Sequence, residues 1–164
     1  MTAASPTLRF LVRGPAHFVA LGFGSGLAPF APGTFGTLVA IPIAALLRVY
    51  TNDLVFVVAI CVLFAIGTWA SEVTGRDLGA ADHGSIVIDE VVAFLAVLYF
   101  VGGDPFRVAF AFLLFRIFDI AKPPPIRQLD ATLKNGFGVM LDDLLAAAYT
   151  LLVFAIAIRV FGGA

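Results

Sequence analysis

Apolar residues in this chain come in long blocks separated by short polar stretches. The blocks run from about Thr37 to Arg48, Leu54 to Ala70, Ile86 to Val101, Phe106 to Ile120 and Val139 to Val160. Each predicts a helix. Asn52-Asp53 and Gly102-Gly103-Asp104-Pro105 supply turns, and Lys122-Pro123-Pro124-Pro125 stops the fourth helix and stiffens its exit. Pro42 falls early in the first helix, where proline is best tolerated. Polar loops are expected over Ser71–Ser85 and from the proline run to Asn135-Gly136.

Several blocks are near 16 residues, or about 24 Å as helix, short of the roughly 30 Å hydrocarbon core of a bilayer. Their charged ends are then drawn slightly inward, or the protein thins the membrane. Residues 16–33 are apolar too, but Gly22, Gly24, Gly26 and Pro29 interrupt them. Irregular backbone cannot face lipid, so a re-entrant or interfacial segment packed against protein is expected. The same interruptions, after Arg9 and Arg13, argue against a cleaved signal peptide. No repeat, low-complexity tract or long linker divides the chain, which predicts one domain over residues 1–164.

Composition turns this pattern into a class. The chain is 61% hydrophobic and 13% charged, where soluble domains carry about a quarter charged residues. An all-α integral membrane protein is expected, with about five transmembrane helices plus the N-terminal segment. Disorder is excluded. Ten Lys and Arg against eleven Asp and Glu leave no bulk field, which excludes nucleic acid as a partner. The single cysteine, Cys61, lies inside an apolar block, so there is no internal disulfide and no thiol metal motif.

Followed across a membrane, the chain puts its unusual charges on one side. Gly33-Thr34 start the first span, Glu72 follows the second, and Asp82 to Glu90 lead into the third. Asp119 and Lys122 close the fourth, and Asp142-Asp143 open the fifth. That side also holds Arg9, Arg13, Arg76, Arg116, Arg127 and Lys134, against Arg48, Arg107 and Arg159 opposite. The excess of positive charge marks it as cytoplasmic.

Two acidic pairs, Asp89-Glu90 and Asp142-Asp143, each precede an apolar run. One reading is a helix N-terminal charge favoured by the macrodipole. The other is convergence on a cation, because clustered carboxylates repel unless one lies between them. Asp89 shares a helix face with Ala93 and Ala96, and Asp143 with Ala146 and Ala147. Small residues let membrane helices approach closely, so Asp89 and Asp143 are the first expected metal ligands, with Glu90 and Asp142 next, as further ligands or as residues just behind them. Oxygen donors without cysteine favour Mg²⁺ or Mn²⁺ over zinc.

Arg116, Asp119 and Lys122 follow at helical spacing. They are either a neutralised ion pair with a snorkelling lysine or a phosphate clamp in which Asp119 orients the base or joins the metal. Arg127 could add a bidentate contact. Gly33-Thr34-Phe35-Gly36-Thr37 is an ordinary cap or an anion seat offering Thr34 and Thr37. His83 is a loop residue or a general acid for a leaving alkoxide. Ser85 lacks the nearby second histidine that a nucleophilic triad needs, and His17 has no assigned role. Together these parts suit metal-assisted phosphoryl chemistry on an amphiphilic substrate.

Four ordered motifs resemble the signature blocks of the bacterial phosphatidylglycerophosphatase A family. They are Gly33-Thr34-Phe35-Gly36-Thr37-Leu38, Asp82-His83-Gly84-Ser85-Ile86-Val87-Ile88-Asp89-Glu90, the run from Phe115 to Arg127, and Gly136-Phe137-Gly138-Val139-Met140-Leu141-Asp142-Asp143. The likeness covers roughly residues 17–160. It implies a Mg²⁺-dependent phosphatase of the bacterial inner membrane that takes the terminal phosphate from phosphatidylglycerophosphate. Asp89, Glu90, Asp119, Asp142 and Asp143 carry over as its acidic site, and Arg116, Lys122 and Arg127 as its basic one. The partners implied are the phospholipid and the membrane, with a homo-oligomer open. Ala93 stands where the family commonly has glycine; both are small. The alternative from another class is a small cation or proton transporter, which needs carboxylates near mid-span and access from both sides.

Overall fold

The computed structural model describes residues 6–161, and among these no strand occurs. The helices are α1 (Leu8–Leu11), α2 (Pro15–Ala20), α3 (Pro32–Tyr50), α4 (Asp53–Leu78), α5 (Ile88–Val101), α6 (Pro105–Ala121), α7 (Ile126–Thr132) and α8 (Gly136–Phe161), with a 3₁₀ turn at Gly22–Leu27. The expected single-domain range runs past these limits, since residues 1–5 and 162–164 lie outside the described residues.

The bundle is organised around α5. A helix apolar on every side belongs in an interior, and beyond Asp89 and Glu90 in its first turn α5 is apolar all round: Ile88, Val91, Val92, Phe94, Leu95, Val97 and Leu98 are essentially fully buried. It packs against α3, α4, α6 and α8. Alanines line the seams, with Ala40 and Ala44 on α3 and Ala146 and Ala147 on α8 all buried. Phe94 fills the α6 side, its ring 5.4 Å from Phe115 and 5.8 Å from Phe112. The outer faces of α4 and α8 expose Val58, Val62, Ile66, Trp69, Leu152 and Ile156. An apolar exterior this extensive suits lipid rather than water.

Three helices are long and apolar enough to cross a membrane: Pro32–Tyr50, Asp53–Leu78 and Gly136–Val160. The other two apolar blocks also form helices, but α5 has 14 residues and α6 has 17. At 1.5 Å per residue they reach only about 21 and 26 Å.

Three local expectations are corrected. The polar loop expected from Ser71 begins as helix, because α4 continues to Leu78 with Glu72 and Arg76 paired one turn apart at 3.3 Å. It ends where Gly79 takes a left-handed conformation at φ +74°. The loop expected after the prolines contains α7. Finally, α3 starts at Pro32 rather than near Thr37, so Gly33–Thr37 is its first turn. Ahead of it, α2 packs on α4 and the 3₁₀ turn on α3.

Candidate active site

The helix ends carrying the singled-out residues meet at one end of the bundle. The lead into α5 is threaded between the 3₁₀ turn and α3. Val87 donates its N–H to Ala20 O at 2.9 Å. Glycines allow this crossing: a Cβ on Gly26 would run into the Ser85 carbonyl, and one on Gly36 would sit 2.9 Å from the Val87 carbonyl. The backbone is thereby held just before Asp89 and Glu90. In both acidic pairs the first carboxylate turns back on the second residue. Asp89 Oδ1 accepts the Glu90 N–H at 3.0 Å, and Asp142 Oδ1 accepts the Asp143 N–H at 3.0 Å.

Carboxylate oxygens of Asp89, Glu90 and Asp143 lie within 4.8 Å of one another. Asp89 and Asp143 are buried, at 7% and 3% exposure. Glu90 Oε2 and Asp143 Oδ2 are buried with no hydrogen-bond partner. Orphaned buried acceptors beside like charges are costly, and a hard divalent cation is the species such an all-oxygen set fits.

The remaining carboxylates are neutralised. Asp119 pairs with Arg116 Nη1 at 2.6 Å, and that nitrogen is also 3.7 Å from Glu90 Oε1. Thr37 receives Arg116 Nη1 at 3.5 Å and donates its own hydroxyl to Gly33 O. Arg116 Nη2 enters none of these contacts, and Nε is buried without a partner. Asp142, buried to 4% exposure, pairs with Lys122 at 2.5 Å. Lys122 itself is a non-glycine residue in left-handed geometry at φ +41°, closing α6 immediately before Pro123. A bulky side chain rarely takes this conformation; here its ammonium is tied to Asp142.

Two further acidic residues at this end of the bundle were given no role from the sequence. Asp130 on α7 reaches Lys122 at 3.5 Å and Lys134 at 3.1 Å; the four-residue Asp130–Lys134 spacing was its available signal. Burial alone would lower the Lys122 ammonium, but Asp142, then Asp82 and Asp130, outweigh it and hold it above the ordinary lysine value. Burial alone would raise Asp130, but Lys134 and Lys122 hold it below the ordinary carboxylate value. The other is Glu72, whose Oε2 accepts the Gly136 N–H opening α8 at 2.7 Å.

The rest of the expected residues make no hydrogen bond or ion pair with these carboxylates among the described residues. His83 Nδ1 accepts the Ser85 N–H at 3.2 Å, a local turn contact that leaves Nε2 for any other partner. Thr34 gives its N–H to Ala31 O. Arg127 is exposed, and among the described residues it enters no ion pair. His17 packs elsewhere, buried between Thr74 at 3.0 Å and Asp77 at 3.2 Å.

Comparison with known proteins places this arrangement in a family. A Haemophilus influenzae protein named phosphatidylglycerophosphatase A is 42% identical over 158 residues, covering 95% of this chain and 97% of its own length. An Escherichia coli K12 protein of the same name is 40% identical over 142 residues, covering 84% and 80%. A Bacteroides thetaiotaomicron protein, provisionally named a phosphatidylinositol-3-phosphatase, is 41% identical over 151 residues, covering 88% and 94%. No solved structure matches. The family model described as phosphatidylglycerophosphatase A matches residues 18–158, and the chain belongs to that family.

Proposed function

We propose that this chain is a membrane-embedded phosphatase that hydrolyses the terminal phosphomonoester of phosphatidylglycerophosphate to phosphatidylglycerol and phosphate. The reading adds Mg²⁺ dependence, five spans with residues 16–33 as an interfacial or re-entrant segment, and a site on the cytoplasmic face of a bacterial inner membrane. One observation carries it: Asp89, Glu90 and Asp143 converge with two orphaned oxygens, beside Arg116 and Lys122.

Asp89, Glu90 and Asp143 would hold the ion. Bound there, Mg²⁺ supplies Lewis-acid polarisation of a phosphoryl oxygen and a water of lowered pKa. The chain's own groups do the rest. Arg116, oriented by Asp119 and Thr37, offers Nη2 to the phosphate. Lys122 adds positive charge from the Asp142 side. As the water oxygen, its proton passed to solvent, bonds to phosphorus, the bond from phosphorus to the glycerol oxygen breaks, and the alkoxide takes a proton. His83 is the proposed donor, through Nε2 of its imidazolium, a form in which Nδ1 no longer accepts the Ser85 N–H. Acyl chains stay in lipid along the exposed faces of the helices.

The transporter alternative finds less support, since these carboxylates lie within about two turns of a helix end, at one end of the bundle.

The test is phosphate release by purified protein from phosphatidylglycerophosphate in proteoliposomes, with Mg²⁺ and with chelator. Phosphatidylinositol 3-phosphate serves as the competing substrate, given the name of the Bacteroides relative. Release that requires Mg²⁺ and favours phosphatidylglycerophosphate is expected; wild-type turnover by both Asp89→Asn and Asp143→Asn would overturn the site. Sidedness is read by labelling Gly84→Cys in a Cys61→Ala background, in vesicles of both orientations.

A further inference from the structure

We propose that Glu72 is a positioning residue for the acidic site: it sets the rotation of the first turns of α8 and so places Asp143. The inference rests on the reading of Asp143 as an ion ligand.

The first N–H groups of a helix have no partner within it. At α8 the opening N–H, of Gly136, goes to Glu72 Oε2 at 2.7 Å, while Arg76 holds Glu72 Oε1 at 3.3 Å. Gly136 is close enough only because it lacks a side chain. A Cβ there would collide with the Thr68 carbonyl and stand 2.7 Å from the Glu72 nitrogen. The first turn of α8 therefore rests directly on the α4 backbone. One turn on, the contact repeats: Met140 lies so close to Gly67 that a Cβ there would be 2.9 Å from its sulfur.

Seven residues of α-helix advance about 700°, within about 20° of two full turns. Gly136 and Asp143 thus share a face, with Met140 between them. The face pinned to α4 by Glu72 is the face that presents Asp143 to Asp89 and Glu90. With a carboxylate about 5 Å from the helix axis, a 20° rotation moves it by well over 1 Å. Displacements of about 1 Å in an active site cost on the order of 10²-fold in rate. A helix cap acting on stability alone would leave ion affinity unchanged; a cap that sets register would not.

The experiment compares Glu72→Ala, Glu72→Gln and Glu72→Asp in the purified full-length protein. Mn²⁺ binding is measured without substrate, by electron paramagnetic resonance of the free ion, alongside kcat and KM for the phospholipid and the folded fraction. Glu72→Ala is expected to weaken Mn²⁺ binding about tenfold or more, in the range of other residues that orient ligands, and to lower kcat with KM unchanged. Glu72→Gln, which keeps the acceptor in place, should stay close to wild type. Glu72→Asp, which keeps the charge but loses reach, should follow Ala. Unchanged Mn²⁺ affinity in Ala, or a loss confined to the folded fraction, overturns the proposal. So does an Asp variant like wild type beside a Gln variant like Ala. Should Ala not fold, the Gln and Asp pair decides. A wild type that hydrolyses lipid but binds no Mn²⁺ refutes the metal reading instead. Positioning by Glu72 is then judged on kcat, supported by a drop that Gln rescues and overturned by none.

Discussion

Asp89 on α5 and Asp143 on α8 face each other across the helix seam, and among the described residues neither is in an ion pair. Asp119 and Asp142 each have a cation within 2.6 Å. The acidic cluster is therefore two sets: carboxylates already neutralised by the chain, and carboxylates left for something else. The first prediction follows from this division. Asp143→Asn should lower phosphate release by about 10²-fold or more, since residues that only orient metal ligands already cost 10- to 100-fold. In chelator the same change removes a repulsion, so the variant should melt above wild type by about 2–4 °C, the shift expected from roughly 1 kcal/mol in a chain of this size. With saturating Mg²⁺ the order should reverse. A variant less stable than wild type in both buffers would show that the site carries no such strain.

Ion binding should also register as stability in the wild type. A ligand at 100 times its dissociation constant stabilises by about 2.7 kcal/mol. Thermal unfolding in detergent should therefore move upward with Mg²⁺ and return on chelation. Asp89→Asn should lose most of that response, whereas Asp53→Asn, remote from the cluster at the start of α4, should keep all of it.

The glycines around the lead into α5 make a sharper geometric prediction. Gly26→Ala pushes a methyl into the Ser85 carbonyl, and Gly36→Ala into the Val87 carbonyl. Each should destabilise by about 1–3 kcal/mol, the usual cost of overpacking, and lower activity by shifting Asp89 and Glu90. Gly84→Ala meets nothing within 4 Å and should be neutral or slightly stabilising. Equal behaviour of all three would mean that the crossing is not tight.

What could be read beforehand, and what could not, divides along physical lines. The five apolar blocks are composition, and the Arg116–Asp119 pair is helical spacing, so both were legible. That α4 would outlast its apolar block was not, because hydropathy does not register the Glu72–Arg76 pair that continues the helix. Adjacent helix residues point about 100° apart, which says that Asp142 and Asp143 diverge but not which one meets Lys122. Only the packing of α6 and α7 on α8 assigns Asp142 to the lysine. The Glu72–Gly136 contact joins elements 64 residues apart, and no local pattern announces it.

The Lys122–Asp142 pair should behave as a buried bridge rather than a surface one. Lys122→Met leaves Asp142 at 4% exposure without its cation. Breaking such pairs costs about 3–5 kcal/mol; Lys122 is 24% exposed, which puts this case toward the lower end. Asp142→Asn in the same chain should recover most of the stability but not the activity, because the positive charge near the phosphate stays missing. Recovery of both would reduce Lys122 to a structural counterion.

Asp130 gives a prediction whose sign depends on pH. Lys134 and Lys122 hold its carboxyl below the ordinary value of 3.8. A lowered folded-state pKa gives stability that is complete above the unfolded value and disappears as pH falls through the folded one. Lys122 is the mirror case: raised above 10.5, it contributes fully below that value and loses its contribution as pH rises through the folded one. Between about pH 5 and 9 both contributions are therefore constant, and neither tilts the stability curve. Asp130→Asn should lower the melting temperature by the same amount at pH 6 and at pH 8, and the gap should close as pH falls below 3.8 and through the lowered folded-state value. Thermal unfolding of the two proteins across that range is the measurement. A gap that widens on going from pH 8 to pH 5 would mean that the two lysines do not hold Asp130 ionised, and the link from α7 through Lys122 to Asp142 would fail with it.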